Sequence, residues 1–233
     1  MGRVIIPLDV PTQDEALALV ELLGDRADFY KVGLELYTTA GPDVVRALVD
    51  RGKRVFLDLK LHDIPNTVAR ATAAAAGLGV DLLTVHGAGG SSMLEAAVRA
   101  REGDLKLLAV TILTSLSPDE MRAVWGREIR SVREEVGRLT QLARDAGIDG
   151  VVASALEAGW VRTHVGPDFL IVTPGIRPAG SSRDDQNRVA TPAEAVAAGS
   201  DYLVIGRPIT RAEDPRGALE AVLGEIEEPE ASN

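Results

Sequence analysis

The 233-residue sequence predicts a single-domain α/β protein of the (β/α)8, or TIM barrel, class. Three observations carry that expectation. Eight short apolar runs alternate with segments of helical periodicity, no linker or composition break divides the chain, and polar residues within the runs share one parity near their C-terminal ends. The runs fall at residues 4–10, 29–36, 55–61, 82–86, 107–113, 151–155, 169–173 and 202–205. A doubly wound open sheet is the main rival. It would carry a glycine-rich phosphate loop after the first strand, and Leu8-Asp9-Val10-Pro11-Thr12 is not one.

In the first run Asp9 shares a parity with Ile5 and Pro7, opposite Val4, Ile6 and Leu8. A helix is expected at 14–23, opened by the capping-box spacing Thr12-Gln13-Asp14-Glu15. Lys31 in the second run stands opposite Tyr30, Val32 and Leu34, and helical periodicity follows at 43–51. The third run alternates most clearly. Val55, Leu57, Leu59 and Leu61 face one way and Phe56, Asp58, Lys60 and His62 the other. Helices are expected at 69–78 and 93–101, flanking a fourth run whose Thr84 and His86 oppose Leu83 and Val85. Ser117-Pro118-Asp119-Glu120 and Thr191-Pro192-Ala193-Glu194 repeat the capping spacing with proline at the first helical position. Further helices are expected at 132–146 and 212–223; the barrel then occupies 1–224 and an acidic tail 225–233.

Composition narrows the function classes. The 25 Lys and Arg against 35 Asp and Glu give a charge of −10, the wrong sign for nucleic acid or an anionic membrane surface. Without cysteine there is no disulfide, thiolate zinc site or cysteine nucleophile. The N-terminal apolar run is short for a signal peptide, and no stretch approaches the roughly 20 residues that span a bilayer. A soluble, cytoplasmic protein is expected. His62, His86 and His164 are widely spaced, so no metal site is expected, and His86 reads as a hydrogen-bonded interior histidine.

A fully buried parallel strand should be nearly continuous in apolar residues. Asp9, Lys31, Asp58 and Lys60 break that rule on three successive strands, at the end where barrel active sites are built. Burying one charge alone is very costly, so these four must pair or meet a charged ligand. A salt-bridge network tying strands together is the bland alternative, but apolar packing serves stability better. A second constellation is Thr173-Pro174-Gly175-Ile176-Arg177 after the seventh run with Val204-Ile205-Gly206-Arg207-Pro208 after the eighth. Loops there often bind phosphate in barrels, and an arginine offers its oxygens a bidentate fork. The long polar stretch from 178 to 190, with Gln186 able to hydrogen-bond a ligand, reads as a lid rather than a plain surface loop.

Taken together, Leu8-Asp9, Lys31-Val32-Gly33, Asp58-Leu59-Lys60-Leu61-His62-Asp63-Ile64-Pro65-Asn66-Thr67, Leu113-Thr114-Ser115, the Thr173–Gly180 segment, Asp185-Gln186 and the Ala198–Pro208 segment resemble the orotidine 5'-phosphate decarboxylases. The resemblance covers about residues 3–215, with no departure at an expected functional position. It implies removal of CO2 from C6 of orotidine monophosphate with no metal or organic cofactor. It also implies roles: Lys60 as the proton donor to C6, Asp58 beside the departing carboxylate, and Lys31 and Asp9 at the ribose. Thr114 and Ser115 would contact the pyrimidine, and Pro174 would line the substrate site. Arg177, Gln186, Gly206 and Arg207 would hold phosphate. Asp63 and Thr67 would reach a neighbouring subunit's site, implying a homodimer with shared active sites. A Mg²⁺-dependent sugar-phosphate decarboxylase or aldol synthase of the same barrel type, and a catalytically silent phosphate-binding barrel, stand as the rivals.

Overall fold

The computed structural model describes residues 3–178 and 190–227. Eight parallel strands close into a barrel in chain order, the last pairing with the first. They are β1 (Val4–Pro7), β2 (Phe29–Gly33), β3 (Arg54–Leu61), β4 (Leu82–His86), β5 (Lys106–Val110), β6 (Gly150–Val152), β7 (Leu170–Thr173) and β8 (Tyr202–Val204). Helices follow the strands: α1 (Gln13–Leu23), α2 (Leu34–Ala40), α3 (Asp43–Val49), α4 (Pro65–Ala76), α5 (Ser91–Ala100) and α6 (Pro118–Trp125). The second half adds α7 (Val132–Asp145), α8 (Ala155–Val165), α9 (Pro192–Ala197), α10 (Arg207–Thr210) and α11 (Pro215–Glu227).

Strand parity sorts the core into two compartments. Val4, Ile6, Tyr30, Val32, Val55, Leu57, Leu83 and Val85 face the helices and join one large cluster with their inner faces. Ile5, Phe29, Phe56, Leu82, Leu108, Val172 and Val204 face inward and form a second, separate cluster. Inward side chains thus fill the barrel as a packed core. At the N-terminal end, the Arg54 guanidinium lies 3.9 Å over the Phe29 ring and bonds Asp81 and the Tyr202 hydroxyl, both at 3.2 Å. Burial works against its charge, but the Tyr202 and Asp81 partners outweigh burial and hold its pKa above the ordinary value.

Local side-chain caps open several of the helices. Ser117 and Thr191 each form a reciprocal capping box with Glu120 and Glu194, and Thr12 accepts from the Glu15 amide. Each such cap stabilises by about 1 kcal/mol. Several strands end sooner than the apolar runs do. The second run leaves the sheet at Gly33, because Leu34, Glu35 and Leu36 are good helix formers and begin α2. The first and fifth ladders stop at Pro7 and Val110, and the chain beyond them turns over the mouth. The final helix runs on to Glu227, and residues 228–233 lie outside the described ones. Among the described residues no helix is long and apolar enough to cross a membrane.

Candidate active site

The strand ends bring four charges into one alternating row. Lys31 Nζ lies 3.2 Å from Asp9 Oδ1 and 3.7 Å from Asp58 Oδ2, and Lys60 Nζ lies 2.9 Å from both Asp58 oxygens. The row is built by register: Gly33 pairs with Asp58 and Lys31 with Phe56, so Lys31 and Asp58 are diagonal inward neighbours. Lys31 and Asp58 are the interior members, their side chains only 12% and 14% exposed, while Asp9 stands at the open rim. Two ammonium groups balance two carboxylates, and each buried charge has a partner within ion-pair distance.

Alternation puts Lys60 on the same face as Asp58, but the pairing of this stretch with the neighbouring strand is not regular. β3 departs from regular pairing between Leu57, opposite Leu83, and Leu61, opposite Val85. Within that irregularity Lys60 adopts φ +51°, making it the one non-glycine residue with left-handed φ among those described. Such a conformation costs about 1–2 kcal/mol in a residue with a Cβ, and strain of this kind collects at functional sites. The Lys60 amide is held at 2.8 Å by Thr84 Oγ1, whose hydroxyl donates to Asp58 Oδ1 at 2.9 Å. His62, expected inside the barrel with Asp58 and Lys60, lies just past the end of β3 and is exposed at the rim. There its ring stacks on His86 at 4.9 Å between centroids. His86 is half-buried, and its Nδ1 accepts from the Ala88 amide. Burial first, then the nearby His62 and Lys60, hold its pKa below the ordinary histidine value.

Two adjoining cavities open onto this row. One, about 180 Å³, has Lys31, Asp58 and Lys60 on one side and Phe56, Val110, Ile112 and Val152 as an apolar wall, with Thr114 at its edge. The other, about 170 Å³, is lined by Asp9, Gly175, Arg177, Gly206 and Arg207. Lys31, Pro174 and Val204 border both, so the two form a continuous cleft, charged-and-apolar at one end and arginine-rich at the other. Gly175 turns the chain at φ +77°, a conformation that favours glycine, and brings the backbone before Arg177 against the cleft.

A family model described as orotidine 5'-phosphate decarboxylase / HUMPS matches residues 2–222. The chain belongs to that family. Among its relatives, the orotidine 5'-phosphate decarboxylase of Moorella thermoacetica is 54% identical, over 97% of this chain and 92% of that protein. The enzyme of the same name from a Caulobacter species is 51% identical over 96% of each. The crystal structure of orotidine 5'-phosphate decarboxylase from Lactobacillus acidophilus superposes with a TM-score of 0.86 at 41% identity, covering 97% of this chain and 99% of that one.

Within this decarboxylase-family barrel, the expected site residues divide into groups. Asp9, Lys31, Asp58, Lys60, Thr114, Pro174, Arg177, Gly206 and Arg207 all border the cleft. Ser115 is exposed and lines neither cavity, since the chain after Thr114 turns toward the cap of α6. Asp63 and Thr67 are exposed beyond β3 at the start of α4 and line neither cavity, and the Asp63 carboxylate accepts from the Ile64 amide. Gln186 lies outside the described residues. No group of three or more His, Asp or Glu side chains suited to a metal ion occurs among the described residues.

Sequence reasoning assigned no role to the apolar wall, to Thr84 or to Gly33. Parity placed Thr84 inward, and Gly33 follows Lys31 by two positions, so both carried a positional signal. A Cβ on Gly33 would sit 2.9 Å from Lys31 Nζ and 3.6 Å from Asp9 Oδ1. Gly33 has φ −96°, which alanine adopts freely, so Gly33→Ala tests space alone. The added methyl should push the Lys31 ammonium out of line and lower kcat/KM on the order of 10-fold or more, with an unchanged melting temperature. Steady-state kinetics and a thermal melt check this together.

Proposed function

We propose that the chain decarboxylates orotidine 5'-monophosphate to uridine 5'-monophosphate and CO2 in pyrimidine biosynthesis, without a metal or organic cofactor. The observation that carries this is the Lys31–Asp58–Lys60 row facing an apolar wall, with an arginine-rich lobe directly adjoining it. Phosphate occupies the lobe with Arg177, Gly206 and Arg207, the ribose lies along Asp9 and Lys31, and the base enters the walled lobe past Thr114. Ser115 and Gln186 complete the contacts to base and phosphate when substrate is bound.

The chemistry follows from where charge appears. As the C6–CO2 bond breaks, its electron pair stays on C6 and CO2 leaves as a neutral molecule. The pyrimidine ring cannot readily delocalise that pair, so the transition state needs a cation already in place. The Lys60 ammonium, held by both Asp58 oxygens, supplies the field and then an N–H proton to C6. Solvent later restores the lysine proton. The apolar wall keeps water from screening the interaction, which strengthens it. Contacts at the phosphate end contribute binding energy far from the reacting atom.

The family description spans two groups, which keeps a Mg²⁺-dependent sugar-phosphate reaction as the second reading. Loss of orotidine monophosphate absorbance, followed with and without EDTA, separates the possibilities. Turnover that EDTA leaves unchanged is expected. Chelator inhibition would favour the second reading, and nucleotide binding with no turnover would favour a silent binding barrel.

We further propose a cytoplasmic homodimer in which Asp63 and Thr67 enter the site of a second copy, consistent with their exposure beside the cleft-bearing strand β3. Lys60→Ala and Asp63→Ala proteins should each be inactive alone yet recover activity when mixed and allowed to exchange subunits, because one hybrid site is then intact. A fully active monomer in sedimentation, or no recovery on mixing, would end this part of the proposal.

A further inference from the structure

We propose that Thr84 is a positioning residue for the Asp58/Lys60 pair; the inference rests on the decarboxylase reading above and deepens it. Thr84 lies on β4, fully buried, and faces the barrel interior. Its Oγ1 accepts the Lys60 amide hydrogen at 2.8 Å and gives its own hydrogen to Asp58 Oδ1 at 2.9 Å. A hydroxyl has a single proton to give. With the amide arriving at the oxygen, that proton is directed to the carboxylate. The result is a closed loop of contacts from the Lys60 amide, through Thr84 and Asp58, back to Lys60 Nζ.

Two constraints meet in this one hydroxyl. Lys60 holds a left-handed backbone that needs a partner for its displaced amide, since the chain leaves regular ladder pairing there. Asp58 must present both oxygens to Lys60 Nζ, and a donor on Oδ1 fixes its rotation. Packing alone does not require a threonine here, because valine has the same shape. Thr84 borders neither cavity, so it acts through Asp58 and Lys60 and not by touching substrate.

The test compares Thr84→Val, Thr84→Ala and Thr84→Ser with the parent and with Lys60→Ala, using orotidine monophosphate kinetics and thermal melts. Val and Ala are expected to lower kcat by roughly 10- to 100-fold, the range found when hydrogen bonds that orient ligands of metal sites are removed. KM should stay within about threefold, and Ser should recover most of kcat, since it restores the hydroxyl. Parent-like kcat in folded Val or Ala variants would overturn the inference. So would a loss confined to KM, or failure of both to fold beside a native Ser variant, which would make the hydroxyl a stability device. The Lys60→Ala arm separates the two levels. If that variant turns over normally, the decarboxylase mechanism itself is wrong; if it is dead while Thr84→Val is normal, only the Thr84 inference fails.

Discussion

Lys60→Ala is expected to cut kcat for orotidine monophosphate by at least about 10⁴-fold, because one ammonium carries both charge stabilisation and proton delivery. Removing a single preorganised donor costs roughly 10²–10³-fold, and losing a positioned general acid costs a similar factor again. The fold should survive. Lys60 sits at the half-open mouth, 32% exposed, and its amide bond to Thr84 does not involve the side chain. Asp58 keeps Lys31 at 3.7 Å and the Thr84 hydroxyl, so its carboxylate is not stranded. The variant should therefore melt near the parent temperature and still bind uridine monophosphate. CO2 release at the parent rate would remove Lys60 from the chemistry.

Arg207→Ala is expected to act at the other end of the cleft and in a different parameter. Arg207 lines the lobe with Gly206, Gly175 and Arg177, where the backbone approaches closely and a guanidinium can meet two phosphate oxygens at once. Losing one partner of a desolvated charge pair costs about 2–5 kcal/mol, so affinity for uridine monophosphate should fall roughly 30-fold or more. Arg207→Lys should recover only part of this, since an ammonium keeps the charge and loses the planar fork. Uridine, which lacks phosphate, should bind parent and Arg207→Ala equally. Calorimetry with both ligands checks the pair of expectations, and equal affinity of variant and parent for the monophosphate would refute the phosphate role.

Much of this was legible in the sequence because its causes are local. Alternation within β3 and the inward parity that Lys31 and Asp9 share, each opposite its apolar neighbours, follow from strand geometry, and the cost of burying charge marked those residues as partners. The boxes at Ser117 and Thr191 are likewise complete within four residues. What escaped has its cause elsewhere in the fold. The irregularity in β3 has no glycine or proline to announce it, because Lys60 is held by a hydroxyl from the next strand. The short helix α2 was hidden, since Leu34 and Leu36 extend an apolar run as well as they begin a helix. Val110, Ile112 and Val152 look like ordinary core residues. They become a cavity wall only when barrel closure brings β5 and β6 opposite β3.

The central claim is that a fixed ammonium stabilises electron density at C6. The same machinery must then work backwards on the product, removing and returning the C6 hydrogen of uridine monophosphate. Incubating the protein with uridine monophosphate in D2O and following the C6–H signal by NMR tests this without any decarboxylation. Deuterium entering C6 with the parent, and not with Lys60→Ala, is the predicted result; no exchange with the parent, or equal exchange with both, would contradict it.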